Sequence, residues 1–135
     1  MGEYYASVRL TDHRAAVCLG KENVTTVSPC QGIGAGGACP IEHVLTGLGS
    51  CIVLTLSAVA DHKKISIQEL AVRVGCLTAN SDSPSTRFTI HIDLGEGLTQ
   101  RERAILINSA RHCEVGKMLT GQIEIEYTPM LHKKD

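Results

Sequence analysis

One uncharged and largely aliphatic stretch, residues 44–60, constrains the fold more than any other feature of the chain. It follows Pro40, and proline suits the first position of a helix because the N–H that it lacks would be unpaired there. The stretch is shorter than the ~20 residues of a typical membrane-spanning helix, and Thr46, Gly47, Gly49 and Ser50 interrupt it. We therefore predict a helix over residues 40–62 that is apolar on all sides and buried within protein.

Strand-like segments surround this helix. Alternating or β-branched patterns predict strands over residues 4–10, 15–19, 23–27, 66–77, 87–94 and 122–127. The capping-box sequence Thr99-Gln-Arg-Glu102 predicts a second helix that ends near Cys113, with one further turn after it. The order β-β-β-α-β-β-α-β predicts an α+β fold with a largely antiparallel sheet around the long central helix, in a single domain over residues 1–135.

Composition narrows the choice of partner and compartment. The formal net charge is -1 and there is no Trp, so neither nucleic acid nor a membrane is an expected partner. The N-terminal residues do not resemble a signal peptide, so we expect a cytoplasmic protein with reduced thiols rather than a disulfide framework.

Several familiar motifs fail on context or spacing. Residues 32–37 contain G-x-G-x-x-G. A dinucleotide-binding loop requires a strand that leads directly into it, but the predicted strand ends at residue 27. We therefore interpret these residues as a flexible connection to the long helix. The cysteines and histidines lack metal-site spacing, and no G-x-S-x-G is present. We expect no metal and no organic cofactor.

Two cysteines are the candidate working residues. A buried cysteine is usually an inert small hydrophobe, but Cys51 is flanked by small residues that leave room for a substrate. Cys113 is predicted at a helix terminus, from which a second thiol can reach Cys51. Two such thiols can support sulfenic acid and disulfide chemistry. Cys18, Cys30, Cys39 and Cys76 are interpreted as structural or incidental.

At these residues the chain resembles the OsmC/Ohr family of peroxide-reducing proteins. Residues 36–51 are similar to the family's helix, in which Pro and Glu open the helix and a cysteine follows eleven residues after the proline. Residues 110–121 resemble the second cysteine motif, and the strand predicted after it also matches.

The resemblance implies an intertwined homodimer with an active site at the interface. It implies that Cys51 attacks a hydroperoxide and becomes a sulfenic acid, that Cys113 condenses with it to a disulfide, and that an external dithiol reduces the disulfide. It also implies a glutamate at the helix start, Glu42, and an arginine from the first hairpin, with Arg14 the first choice and Arg9 the second.

Three positions depart from the family pattern. Ile41 stands where the family glutamate usually follows the proline, and Glu42 lies about 180° from Cys51 around an ideal helix. The helix could open irregularly, Glu42 could act differently, or Glu42 could only favour the helix N-terminus. Either arginine could instead be a solvated strand residue. Glu114 replaces a proline and would raise the pKa of the Cys113 thiol.

Two hypotheses follow for the function. The first is cysteine-based reduction of organic hydroperoxides in oxidative-stress defence. The alternative is a non-peroxidatic thiol protein or small-ligand-binding protein on the same fold, with an apolar pocket beside Gly47 and Cys51. Close approach of the Cys51 and Cys113 sulfurs favours the first hypothesis.

Overall fold

The computed structural model describes residues 4, 6–10, 16–19, 24–28 and 37–130. In these residues five strands and three helices follow one another along the chain. They are β1 (Ser7–Leu10), β2 (Ala16–Leu19), β3 (Val24–Val27), α1 (Pro40–Lys63), β4 (Ala71–Ala79), β5 (Ser85–Asp93), α2 (Gln100–Ala110) and α3 (Glu114–Thr120).

The described strands form two separate antiparallel sheets. One has the order β1-β2-β3, and the other pairs β4 with β5 along their whole length, from Ala71 opposite Asp93 to Ala79 opposite Ser85. The predicted α+β class with antiparallel strands is therefore confirmed. The single sheet that we expected is two sheets in the described part of this chain.

Helix α1 begins at Pro40, as predicted, and ends at Lys63, one residue later than predicted. Lys64 follows in the left-handed conformation, with φ of 58°, and its N–H caps the last turn. One face of α1 is buried, at the three- and four-residue spacing of a helix: Leu48, Gly49, Ile52, Leu56 and Ala60.

The prediction that α1 is buried on all sides is wrong for the single chain. Leu54 is 68% exposed, and Ile41 and Val44 are also exposed. Among the described residues, β4 and α2 are the elements that pack most extensively against α1, and they leave these side chains uncovered. Helix α1 is long and apolar enough to cross a membrane. The core helix of a soluble protein passes the same test of length and composition.

A glycine lies where β4 approaches α1. A Cβ added at Gly49 would lie 3.2 Å from Val74 Cγ2, so the Val74 side chain would have to shift by a few tenths of an ångström. A Cβ at Gly47 would meet nothing within 4 Å. The close approach therefore depends on Gly49.

Helices α2 and α3 complete the core over the buried face of α1. The predicted capping box is confirmed: Glu102 N–H donates to Thr99 Oγ1 at 3.1 Å, and Thr99 N–H donates to Glu102 Oε1 at 2.9 Å. Leu106 of α2 is fully buried. However, α2 ends at Ala110 rather than near Cys113, and the extra turn after it is the separate helix α3.

The predicted final strand, residues 122–127, is wrong for this chain. Residues 122–130 have no regular secondary structure, and all of them are exposed. The segment does alternate, with Ile123, Ile125 and Tyr127 at every second position. Alternation alone cannot make a strand, because a strand needs a neighbour to accept and donate its backbone hydrogen bonds.

Replacement of Leu106 by alanine is expected to lower the free energy of unfolding by about 2–5 kcal/mol, because it leaves a cavity among α1, α2 and α3. The matched control is Ile107→Ala in the next position, where the side chain is 41% exposed. That change should cost about 1 kcal/mol or less. Urea denaturation at one fixed protein concentration measures both, and equal losses would contradict the packing described.

Candidate active site

Helix α1 presents Cys51 beside its buried face. The residue is half-buried and packs against the core that includes Leu48 and Ile52. Its thiol is free. Cys51 is therefore held by the core on one side while part of it remains accessible, which suits a thiol that meets a small substrate.

Cys113 lies between α2 and α3, where it is the N-cap residue of α3. Its side chain is only 2% exposed, and its thiol is free. Helix α3 packs against α1, and this contact brings the second cysteine to the first. The expected terminal thiol lies at the start of α3 rather than at the end of α2, and its role as the partner of Cys51 remains a prediction.

The two thiols interact directly. Burial raises the pKa of the Cys113 thiol, the Gly116 N–H lowers it, and the charge of Cys51 and a side-chain hydrogen bond with Cys51 raise it further. The net direction is upward. Cys113 is thus harder to deprotonate than an ordinary thiol, and a proton must leave it before its sulfur can act as a nucleophile.

Gly116 is a residue of this site that the sequence did not suggest. Its N–H donates a hydrogen bond to Cys113 Sγ at 3.3 Å. A Cβ at Gly116 would lie 2.9 Å from the same sulfur. A glycine three residues after a cysteine at a helix start is the signal that could have revealed it.

The Glu42 side chain makes a hydrogen bond at the start of α1. Its Oε1 accepts a hydrogen bond from the Cys39 N–H at 3.0 Å, and its side chain is otherwise exposed. This contact fits the third of the possibilities considered for Glu42, since it satisfies a backbone donor at the N-terminus of α1. A role for Glu42 at Cys51 remains a prediction.

The candidate arginines are not assigned by the structure. Arg14 lies outside the described residues. Arg9 is in β1, where it pairs with Val17 and is exposed. The arginine that supports the Cys51 thiolate also remains a prediction.

Cys39 corrects the expectation that all thiols are reduced. It is disulfide-bonded, and the side chain of its partner is outside the described residues. Backbone contacts bring the two sides of the preceding loop together, with Ser28 N–H donating to Ala38 O at 3.0 Å and Val27 bridged to Ala38. Cys76, in contrast, is free and half-buried.

An open apolar groove of about 600 Å³ runs between α1 and β4. Gly49, Ser50, Val53 and Leu54 line it from the helix, and Val72 and Val74 from the strand. Cys51 and Gly47 do not line it, so it is not the pocket expected beside those two residues. In the described parts of the chain, no group of three or more metal-ligating side chains comes together.

Comparison with known proteins gives a consistent result. The family model described as OsmC-like protein matches residues 33–128. No curated protein matches the sequence.

Solved structures share the fold at low identity. An OsmC-like protein from Mycoplasma pneumoniae has 20% identity and a TM-score of 0.75, with 89% of each chain covered. The organic hydroperoxide resistance protein OhrB of Bacillus subtilis has 21% identity and a TM-score of 0.63, with 87% of this chain and 92% of that chain covered. An organic hydroperoxide resistance protein OsmC from Legionella pneumophila has 17% identity and a TM-score of 0.62, with 90% and 93% covered.

These structures establish the fold, and the family model spans well over half of the sequence, including Cys51 and Cys113. The chain therefore belongs to the OsmC-like protein family.

Proposed function

We propose that this protein is a thiol peroxidase that reduces organic hydroperoxides, with Cys51 as the attacking thiol and Cys113 as the resolving thiol. The observation that carries the proposal is the contact between a half-buried and a buried cysteine thiol in one chain. Similarity to proteins described as organic hydroperoxide resistance proteins supports the substrate class.

The first step is an attack on the peroxide bond. The Cys51 thiolate bonds to the terminal oxygen of ROOH, the O–O bond breaks, and the leaving alkoxide takes a proton to become an alcohol. Cys51 is then a sulfenic acid, oxidised by two electrons. Partial exposure of Cys51 gives the peroxide access, while the core behind it fixes the sulfur.

The second step joins the two cysteines. The Cys113 sulfur attacks the Cys51 sulfur, the S–O bond breaks, and the departing hydroxide takes a proton to become water. An external dithiol then supplies two electrons and two protons and becomes a disulfide itself. Every electron in the cycle comes from thiols, so the proposal requires no metal or organic cofactor.

We further propose that the protein is a homodimer. The chain exposes 11615 Å², against about 6,900 Å² for a compact monomer of this mass. Two surfaces lack a partner within the described chain: the groove beside Leu54 and the alternating segment 122–127. An intertwined second copy would cover the exposed face of α1 and give the C-terminal segment a strand neighbour.

Burial of α1 by a second copy would also keep this helix out of a membrane, while the cytoplasmic location remains a prediction. The exposed apolar side of this helix would then face protein rather than lipid. Glu42, Asp61 and Lys63 near its ends and the small residues within it are compatible with a helix in protein.

The central prediction concerns the two cysteines. Cys51→Ser should abolish consumption of cumene hydroperoxide in the presence of a dithiol, because it removes the nucleophile. Cys113→Ser should let the first step proceed and leave a Cys51 sulfenic acid, which a cyclic 1,3-diketone traps and mass spectrometry locates.

Cys76→Ser is the matched control for that experiment, since Cys76 is also a free, half-buried cysteine. It should retain wild-type peroxide consumption. Full activity in Cys51→Ser would contradict the proposal and favour the non-peroxidatic alternative.

The resolving step should depend on pH. Because the pKa of Cys113 is raised, its thiolate is scarce at neutral pH, and disulfide formation from the sulfenic acid should accelerate as pH rises past the ordinary thiol value of about 8.5. Single-turnover rapid-quench experiments between about pH 6 and pH 10 measure the rate of disulfide formation. A rate that is flat across this range would show that deprotonation of Cys113 does not limit it.

The dimer has its own test. Wild-type protein should sediment with twice the chain mass of 14.5 kDa. Leu54→Glu places a charge on the exposed apolar face of α1, where a dimer interface would have to desolvate it, and should shift the protein towards monomer. Asn108→Glu in α2 controls for a charge at an exposed helix position away from α1. A wild-type monomer at micromolar concentration would contradict the dimer.

A further inference from the structure

We propose that Gly116 is a positioning residue for the thiol of Cys113: its backbone N–H and its missing side chain together hold the sulfur where it faces Cys51. The resolving role of that sulfur rests on the proposed function. The placement of the sulfur by Gly116 rests on geometry alone. Both parts are open to separate tests.

The first contribution is a hydrogen bond. Gly116 N–H lies in the first turn of α3, and it donates to Cys113 Sγ over 3.3 Å. The bond ties the sulfur to the first turn of α3, on the helix side of the thiol pair, and Cys51 is close enough for its charge to raise the Cys113 pKa. The amide therefore helps to fix the location of the sulfur.

The second contribution is space. A Cβ at Gly116 would lie 2.9 Å from Cys113 Sγ and 3.9 Å from Leu48 Cδ1. A sulfur at 2.9 Å has to move, and here it is enclosed, since Cys113 is almost fully buried. Leu48 belongs to the buried face of α1, three positions before Cys51, so the wall on that side is the helix that carries the other thiol. Any side chain at residue 116 would displace the sulfur within the thiol pair.

The third contribution is electrostatic. Burial raises the pKa of Cys113, and the Gly116 N–H is the largest influence that lowers it. A hydrogen bond to an ionised acceptor is stronger than one to its neutral form. The Gly116 N–H therefore helps most when Cys113 becomes a thiolate, which is the form that attacks a sulfenic acid or a disulfide.

Gly116→Ala is the variant that tests the proposal, with Gly75→Ala as its matched control. Gly75 lies in β4, and a Cβ there would meet nothing within 4 Å. In a Cys51→Ser background, ¹³Cβ NMR of labelled cysteine follows the titration of Cys113. Gly116→Ala should raise the Cys113 pKa by about one unit, a roughly tenfold loss of thiolate at a given pH, because the charge-assisted hydrogen bond is weakened. Gly75→Ala should leave the titration unchanged.

A second readout needs no hydroperoxide. In protein that retains both cysteines, diamide accepts two electrons and two protons as Cys51 and Cys113 form a disulfide. Gly116→Ala should slow this step by about tenfold, in line with the lost thiolate fraction. Unchanged titration together with an unchanged rate overturns the proposal. If diamide forms the disulfide normally but no hydroperoxide is consumed by wild-type protein, the proposed function fails while the inference about Gly116 stands.

A measurement without any change at Gly116 covers the case in which Gly116→Ala does not fold. In the Cys51→Ser background, the ¹H and ¹⁵N shifts of the Gly116 amide should titrate together with Cys113. They should not titrate when Cys113→Ala is added. A Gly116 amide that does not respond to Cys113 ionisation overturns the proposal.

Discussion

The packing of α3 on α1 is the constraint on which the site depends. Helix α3 is short, and Val115 and Leu119 pack against the core while its N-cap residue Cys113 is buried in it. The same packing sets the Cys113 thiol near Cys51, and in the proposed account this buried residue carries the chemistry. Gly49 and Gly116 permit close approaches on either side of this arrangement, one towards β4 and the other towards the sulfur.

The single chain has a total accessible surface of 11615 Å², larger than the value of about 6,900 Å² for a compact monomer of this mass. Leu54 on α1 and Ile125 in the C-terminal segment are each 68% exposed. Both lie outside the core that positions the two cysteines. In the proposed account, the core of one chain builds the thiol pair and the second copy supplies the cover for α1 and for the C-terminal segment.

Local signals in the sequence predicted local structure well. Pro40 and the aliphatic pattern predicted the position of α1, and the capping-box sequence from Thr99 to Glu102 predicted the start of α2. The exposure of Leu54 and the irregular backbone of residues 122–127 were not predicted, because apolar and alternating patterns do not show whether a neighbouring element is present. The role of Cys113 as an N-cap was also missed, because Ser, Thr, Asp and Asn are the usual signals for that position. The resemblance of the two cysteine motifs identified the family, which neither periodicity nor composition could do.

The central claim is that Cys51 and Cys113 form one redox unit. The most direct measurement is peptide mass mapping after reduced wild-type protein reacts with one equivalent of an organic hydroperoxide, with remaining thiols alkylated at once. The account predicts a disulfide between the peptides that contain Cys51 and Cys113, formation of one equivalent of alcohol, and an alkylated Cys76. Oxidised protein in which Cys51 and Cys113 both remain alkylatable thiols would contradict it.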